Sequence, residues 1–200
     1  MKIFLATKNP GKIAEFKEIL SGLSVDLVTC NDLEIPDVEE TGSTFVENAI
    51  LKARSASETT KLPSIADDSG IEVDFLKGRP GVWSARYAGI DATNDENNLK
   101  LLSELQGVAE KERGAWYRCV IVFMRFHNDP FPFIAQDSWR GSILEHQKGS
   151  NGFGYDPLFY LPSKSMTAAE LDSKEKHKLS HRGKALKKFN HFFTNYAQTN

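Results

Sequence analysis

Two adjacent acidic residues, Asp67 and Asp68, lie in the stretch ADDSG (66–70), directly after the apolar pair Ile65–Ala66. The pattern predicts that a short buried strand ends here and that a second short strand follows over 71–75. Adjacent carboxylates repel each other, and burial of either is costly unless it is paired or binds a metal ion. The pair is therefore a candidate catalytic or metal-binding site.

A second acidic pair, Glu39 and Glu40, precedes it in the chain. If the sheet is parallel, the segments that end in this pair and in Asp67–Asp68 bring the two acidic pairs close together. A carboxylate cluster without His or Cys suits Mg²⁺, which prefers oxygen ligands. The alternatives are a solvated acidic loop at 39–40, which is the stronger alternative, and a strand-end turn at 67–68.

The stretch ATKNPGK (6–12) lies between a predicted strand and a predicted helix, where backbone amides and a helix N-terminus can hold a phosphate. Thr7 and Asn9 supply small polar groups, and Lys12 supplies a cation. It is not a Walker A loop, because Ile13 follows the lysine where Ser or Thr is required. A plain turn with a surface lysine is the equal alternative.

Two later stretches carry groups that suit a nucleoside. In GFGYDP (152–157), Phe153 and Tyr155 could stack on a flat base, although a tight turn with two core aromatics is favoured from this stretch alone. In 174–188, His181 and Arg182 lie at a predicted helix break, and a solvated basic helix is the alternative. A phosphate-binding loop, a Mg²⁺ site and aromatic residues able to stack on a base together indicate a nucleoside polyphosphate ligand.

The predicted elements that position these residues form one mixed α/β fold. Strand 2–6, helix 11–20 and strand 25–29 make a βαβ unit, which implies a parallel pair. Capping boxes start helices at Thr44 and Thr93. A long strand is predicted over 115–126 with antiparallel neighbours over 131–139 and 140–146, and two helical stretches separated by a break near 180–183 follow.

The composition describes an ordinary folded chain: 200 residues, 40% hydrophobic, with a net charge of −2. This balance gives no general attraction to nucleic acid. No apolar run approaches the length of a signal peptide core or a membrane span, so no membrane partner is expected. The two cysteines form no disulfide framework or metal motif, and a reduced cytoplasmic setting is the expectation.

The chain resembles the inosine triphosphate pyrophosphatase family, also called non-canonical purine NTP pyrophosphatases, and its bacterial branch most closely. The matching stretches run in order from residue 5 to residue 186: LATKNPGKIAEF, EETGSTFVENAILKA, IADDSGIEVDFLKGRPGVWSARYAG, GFGYDPLF, TAAEL and SHRGKAL. The resemblance implies one domain over 1–200 with two interleaved lobes: an elongated α/β fold with a mixed twisted sheet, flanking helices and a central cleft. It also implies a homodimer that hydrolyses ITP, dITP and XTP to the monophosphate and pyrophosphate with Mg²⁺.

The resemblance carries family roles onto matching positions. Asp68 would be the general base and, with Glu39 or alternatively Glu40, would bind the metal. Substrate would be bound by phosphate-holding and nucleoside-holding residues, namely Thr7, Lys8, Asn9, Pro10, Gly11, Lys12, Lys52, Ser69, Phe153, Gly154, Tyr155, Asp156, Lys176, His181 and Arg182. Apart from these family roles, we expect Asp67 to be structural and to hold the end of the strand.

Two other functions use the same residues. A nonhydrolysing nucleotide-binding or sensing module would bind nucleotide without turnover. A nucleic-acid-binding protein would use the basic stretch 174–188, and its affinity would fall steeply with salt. The net charge of −2 counts against the latter.

Overall fold

The computed structural model describes residues 1–23, 25–33 and 35–199, with the backbone alone for 197–199. Contacts group the chain into two compact units, each assembled from separate stretches. Unit 1 comprises Met1–Asp68, Cys119–Asp137 and Arg182–Asn200, and unit 2 comprises Ser69–Arg118 and Ser138–His181. The boundary in the first stretch falls between Asp68 and Ser69.

The described residues form a seven-stranded sheet of order β2-β1-β3-β4-β5-β6-β7. Strand β1 is parallel to both β2 and β3, whereas β6 is antiparallel to β5 and β7. The predicted mixed α/β sheet with flanking helices is confirmed. The strands are β1 Lys2–Leu5, β2 Asp26–Thr29, β3 Ser64–Val73, β4 Gly114–Met124, β5 Phe133–Ile143, β6 Phe159–Leu161 and β7 Met166–Thr167.

The helices begin where the sequence places their caps. Both predicted capping boxes are present. The side chains of Thr44 and Thr93 each accept from the backbone amide of the glutamate three residues later, and the side chain of that glutamate accepts from the backbone amide of the threonine. Pro10 occupies the first turn of α1, where its missing N–H costs nothing. The helices are α1 Pro10–Leu20, α2 Phe45–Thr60, α3 Asn94–Glu104, α4 Ser173–Leu179 and α5 His181–Thr199.

Within unit 1 the sheet is covered on both faces. One apolar cluster joins Ile65 of β3 to α1 and α5 through Phe16 and Phe189. A separate cluster joins Ala66 of β3 to α2 through its buried alanines. Successive residues of a strand point to opposite faces, so neighbouring positions of β3 face different helices.

Unit 2 has its own apolar core, built on Ile71, Leu101, Trp139 and Phe159 among others. Arg113 is buried beside this core and donates to three backbone carbonyls, those of Leu105, Ile143 and Leu144, at 2.8–3.0 Å. The arginine thereby satisfies backbone acceptors at the end of α3 and beyond β5, where burial would otherwise leave them without partners.

Two predictions of strand boundaries are wrong. The two short strands expected around Asp67–Asp68 are one ten-residue strand, β3. The two neighbours expected over 131–146 are likewise one strand, β5. In β5 the backbone passes the next strand closely at Gly141, where a Cβ atom would lie 2.5 Å from the Tyr160 carbonyl oxygen. Glycine in a strand is therefore required here by packing and does not end the strand.

In the described part of the chain, no helix combines the length and the apolar character needed to cross a membrane.

The capping box of α2 generates a stability prediction. Thr44→Ala removes the side-chain acceptor for the Glu47 amide and should lower the free energy of unfolding by about 1 kcal/mol. Thr44→Ser keeps the acceptor and should retain most of that stability. Urea unfolding followed by circular dichroism measures both variants, and equal stability of the two would contradict the role assigned to the cap.

Candidate active site

Asp67 is fully buried in unit 1 and is surrounded by cations. Lys12 Nζ lies 2.9 Å from its Oδ2, and Arg182 Nε lies 3.3 Å from the same oxygen. Arg182 also forms an ion pair with Glu15. Burial opposes the ionised form, but Lys12, Arg182 and Lys52 outweigh it and hold the pKa of Asp67 well below its usual range.

Asp68 points to the opposite face, toward α2. Lys52 Nζ is 2.9 Å from its Oδ1, and Asn48 Nδ2 is 3.4 Å from its Oδ2. Asn48 and Lys52 are one helical turn apart, so a single helix face contacts both carboxylate oxygens. Burial raises the pKa of Asp68 by more than Lys52 and Lys12 lower it. The two neighbouring carboxyls thus have pKa values shifted in opposite directions.

Lys52 links Asp68 to the acidic segment. Its Nζ also lies 2.8 Å from Glu40 Oε1. Burial lowers the pKa of Lys52, but Asp68, Asp67 and Glu40 together raise it, so the ammonium stays charged. The neighbouring Glu39 side chain is exposed.

The carboxylates of Glu40 and Asp68 bear on the predicted Mg²⁺ site. Among the described residues, no three acidic, His or Cys side chains form a ready-made metal cluster. Mg²⁺ is commonly held, however, by one or two carboxylates together with substrate phosphates and water. Glu40 and Asp68 already converge on one positive charge, the Lys52 ammonium. This pair of oxygen donors fits Mg²⁺ bound together with a polyphosphate.

The predicted phosphate loop leads into the N-terminus of α1. Asn9 is the cap, and its Oδ1 accepts from the Lys12 amide at 3.1 Å. Thr7 Oγ1 accepts from the Asn9 amide at 3.2 Å, which tightens the turn. The turn lies at the N-terminus of α1, where the helix dipole favours an anion, but the Asn9 and Lys12 amides are already bonded within the turn and Pro10 has no N–H.

The other residues of this loop lie at its surface. Pro10 is exposed, Gly11 is half-buried, and Lys8 pairs with Asp37 at 2.6 Å. Lys12, by contrast, is directed inward to Asp67. The alternative of a turn with a surface lysine is therefore wrong for Lys12.

In unit 2, Asp156 organises the glycine-rich loop. Its carboxylate accepts from Tyr117 Oη at 3.2 Å, from the Phe153 amide at 2.8 Å and from Lys176 Nζ at 2.6 Å. Gly152 has a positive φ of 77°, and a Cβ atom there would lie 2.1 Å from Asp156 Oδ2. The buried aspartate and the glycine together determine the path of the loop.

The two aromatic residues of the loop differ in placement. Tyr155 is buried in the core of unit 2, and its hydroxyl donates to the Ser84 carbonyl at 2.8 Å. Phe153 is half-buried, and Lys176 Nζ lies 4.9 Å from the centroid of its ring. Phe153 is thus better placed than Tyr155 to contact a ligand. Between them, Gly154 has a positive φ of 64°.

The predicted helix break is present between α4 and α5 at Ser180. His181 is buried and stacks on Tyr117 in unit 2, with ring centroids 4.6 Å apart. Lys176 and Arg182 are also buried, so the alternative of a solvated basic helix is wrong for all three. Ser69, the first residue of unit 2, is half-buried in β3.

The sequence analysis did not identify the polar residues that form hydrogen bonds or ion pairs with the predicted site residues. Glu15 holds Arg182, Asn48 contacts Asp68, and Tyr117 donates to Asp156. Asn98 donates to the Gly154 carbonyl at 3.1 Å. Asn48 directly follows a capping box, which is a signal available in the sequence; the other three contacts join residues distant along the chain.

The opposite pKa shifts of Asp67 and Asp68 predict opposite effects of the same substitution on stability. Asp67→Asn leaves the half-buried Lys12 and the buried Arg182 without their shared charge and should lower the free energy of unfolding at pH 7 by about 3 kcal/mol or more. Asp68→Asn removes a charge that burial disfavours and should leave stability within about 1 kcal/mol of the unsubstituted protein, or raise it. Urea unfolding at pH 7 measures both, and the reverse order would contradict the two pKa directions.

Low pH provides the matched control. Because the pKa of Asp67 is lower in the folded chain than in the unfolded chain, its ionised carboxylate stabilises the fold at any pH above the unfolded-state pKa, about 3.9 for Asp. This stabilisation is lost as the pH falls from there through the folded-state pKa. The stability difference between Asp67→Asn and the unsubstituted protein should therefore shrink below about pH 4.

Comparisons with known proteins agree with the motifs. The model of the Ham1 family matches residues 3–192. The dITP/XTP pyrophosphatase of Photobacterium profundum is 52% identical over 187 residues, covering 94% of this chain and 95% of that protein. The dITP/XTP pyrophosphatase of Yersinia pseudotuberculosis is 54% identical over 186 residues, covering 93% of this chain and 94% of that protein.

A solved structure of a HAM1 protein from Coxiella burnetii has a TM-score of 0.91 and 47% sequence identity, covering 98% of this chain and 99% of that one. The family model and these relatives extend over nearly the whole chain, so the resemblance drawn from the motifs is confirmed: the chain belongs to the Ham1 family.

Proposed function

We propose that this protein is a Mg²⁺-dependent pyrophosphatase that hydrolyses ITP, dITP and XTP to the monophosphate and pyrophosphate. The activity would remove deaminated purine nucleotides before polymerases incorporate them. The observation that carries the proposal is the contact of one lysine, Lys52, with both Asp68 and Glu40. Relatives at 52% and 54% identity that are named dITP/XTP pyrophosphatase support the choice of substrates.

The triphosphate is assigned to the loop before α1 and to the lysines of α1 and α2. The small polar side chains of residues 7–12 and the N-terminal dipole of α1 suit phosphate oxygens, and Lys12 and Lys52 add positive charge. Glu40 and Asp68, or Glu39 in place of Glu40, would hold the metal. When bound, Mg²⁺ supplies charge neutralisation of the polyphosphate.

Asp68 is assigned as the general base. An oxygen of water forms a bond to the α-phosphorus while the bond from that phosphorus to the bridging oxygen breaks. The water proton passes to the Asp68 carboxylate, and pyrophosphate leaves. A carboxylate has about four lone-pair sites, so acceptance from Lys52 and Asn48 is compatible with this role.

The nucleoside is assigned to Ser69, Phe153–Asp156, Lys176, His181 and Arg182. Glu15 and Asp67 hold the Arg182 guanidinium in one orientation. Arginine donors match the O6 and N7 acceptors of a 6-oxopurine, whereas adenine presents an amino donor at position 6. The buried contacts of Asp156 and Tyr155 support a role in shaping the loop around Phe153.

Two broader parts of the proposal concern assembly and location. The family resemblance suggests a homodimer, and the sequence suggests the cytoplasm. The alternative function is a nonhydrolysing nucleotide-binding or sensing module. It is distinguished by stoichiometric nucleotide binding without turnover in Mg²⁺.

The products formed from ITP test the proposal directly. The purified protein with Mg²⁺ should convert ITP to IMP and pyrophosphate, and excess EDTA should abolish turnover, because the acidic pair suits a hard divalent cation. Anion-exchange chromatography of the nucleotides, with a pyrophosphate assay, measures the outcome. Formation of IDP and orthophosphate, or binding without turnover, would contradict the proposal.

The role of Asp68 makes a second prediction. Asp68→Asn keeps the shape of the side chain but removes its basicity, and kcat for ITP should fall by ~10²–10⁴-fold. Asp26→Asn, a substitution of the same type at an exposed position of β2, serves as the control and should keep the normal rate. A variant at Asp68 that keeps more than about half of the rate would show that this carboxylate is not the base.

A further inference from the structure

Asn48 joins two parts of the candidate active site through one buried side chain. Its Oδ1 accepts from the Gly42 amide at 2.8 Å, and its Nδ2 donates to Asp68 Oδ2 at 3.4 Å. Gly42 follows the acidic pair Glu39–Glu40 by two residues. The side chain therefore connects the acidic segment to Asp68 through α2.

The Gly42 amide determines which way the Asn48 side chain points. A backbone N–H can only donate, so the group facing Gly42 must be the carbonyl oxygen of the side chain. The amino group then faces Asp68, whose ionised carboxylate can only accept. Both contacts are chemically matched in this orientation, and the reversed side chain would oppose donor to donor and acceptor to acceptor.

The segment that carries Gly42 packs closely against Asn48. A Cβ atom at Gly42 would lie 2.6 Å from Asn48 Oδ1, 2.6 Å from Glu47 Cβ and 3.0 Å from the Asn48 amide nitrogen. Contacts this short with backbone or a stiff side chain require the segment to move. The glycine thus allows the acidic segment to approach the start of α2.

Helix α3 contains the same local arrangement. Thr93, Glu96 and Asn97 repeat the spacing of Thr44, Glu47 and Asn48, and Asn97 is also buried. Asn97 Oδ1 accepts from the Ala88 amide at 2.8 Å, but its Nδ2 donates to a backbone carbonyl, that of Ala85, at 3.1 Å. In both helices, a buried asparagine after the capping box holds the preceding loop through its side-chain oxygen. Of these two asparagines, only Asn48 donates its side-chain N–H to a carboxylate.

We propose that Asn48 is a positioning residue for the hydrolytic step, which orients the Asp68 carboxylate and keeps the segment carrying Glu39–Glu40 beside it. The inference rests on the proposed function of Asp68. Lys52 contacts one oxygen of Asp68 and Asn48 the other, so rotation of the carboxylate is restrained from both sides. Loss of the restraint should affect the rate of the chemical step more than the binding of ITP.

The test compares Asn48→Ala with Asn97→Ala as its matched control. Each variant loses a buried amide with two hydrogen bonds after a capping box, so both should be destabilised. Only Asn48→Ala should also lower kcat for ITP, by ~10–100-fold per folded molecule, with KM changed less than about threefold. Hydrogen exchange should show faster exchange of the Gly42 amide in Asn48→Ala alone.

Asn48→Asp separates the two contacts. It keeps an acceptor for the Gly42 amide but replaces the donor to Asp68 with a like charge, so kcat should fall at least as far as in Asn48→Ala while the Gly42 amide stays protected. Where Asn48→Asp does not fold, Gly42→Ala provides the test, because the added Cβ atom pushes the acidic segment away from Asn48. This variant should have a lower kcat and a similar KM.

Three outcomes would overturn the inference. A normal kcat in Asn48→Ala would show that the residue only stabilises the fold, and a normal kcat in Asn48→Asp would show that donation to Asp68 is not needed. A normal kcat in Gly42→Ala would likewise refute the proposal that the rate depends on keeping the acidic segment beside Asp68. Failure of the unsubstituted protein to release pyrophosphate from ITP is a separate result, which would overturn the proposed function and this role with it.

Discussion

The alternation of side chains along β3 is the constraint on which the candidate active site depends. Asp67 and Asp68 are neighbours in sequence, but the pleat of the strand sends them to opposite faces of the sheet. One face brings Lys12 and Arg182 to Asp67, and the other brings Asn48 and Lys52 to Asp68. Repulsion between the adjacent carboxylates is offset because Lys12 and Arg182 contact Asp67 and Lys52 contacts Asp68, and the strand continues through both.

The two faces differ in how well the charge is compensated. Asp67 has two close cations, and this compensation outweighs the cost of burial, as its lowered pKa reflects. Asp68 has one close cation and the nearby Glu40, and burial prevails, which raises its pKa. A fully compensated carboxylate suits a structural role, whereas a carboxylate that its surroundings hold less firmly in the charged form is suited to accept a proton or a metal ion. Burial and partners thus give chemically identical neighbours different electrostatic surroundings.

Unit 2 follows the same principle with a single acid. The Asp156 carboxylate accepts from a hydroxyl of β4, a backbone amide of the loop and an ammonium of α4, so its buried charge is satisfied by the three elements that it connects. The loop glycines take up positive φ values that other residues rarely adopt, which lets the chain close around this carboxylate. Phe153 is then half-buried in the loop, while Tyr155 is part of the core.

The sequence by itself determined the capped starts of α2 and α3, the parallel βαβ unit and the set of residues able to do chemistry, because these depend on local spacing and on motif order. It did not predict the short strands β6 and β7. It did not reveal that β3 runs through Asp67–Asp68, since a strand can bury two acids only when cations arrive from helices distant in the chain. Nor did it reveal the partners of those acids: Lys12 and Arg182 are 170 positions apart, counted as 182 − 12, yet both contact Asp67. Tertiary structure decided which carboxylate is compensated and which is not, because burial and charge pairing depend on distances in space that local sequence patterns do not contain.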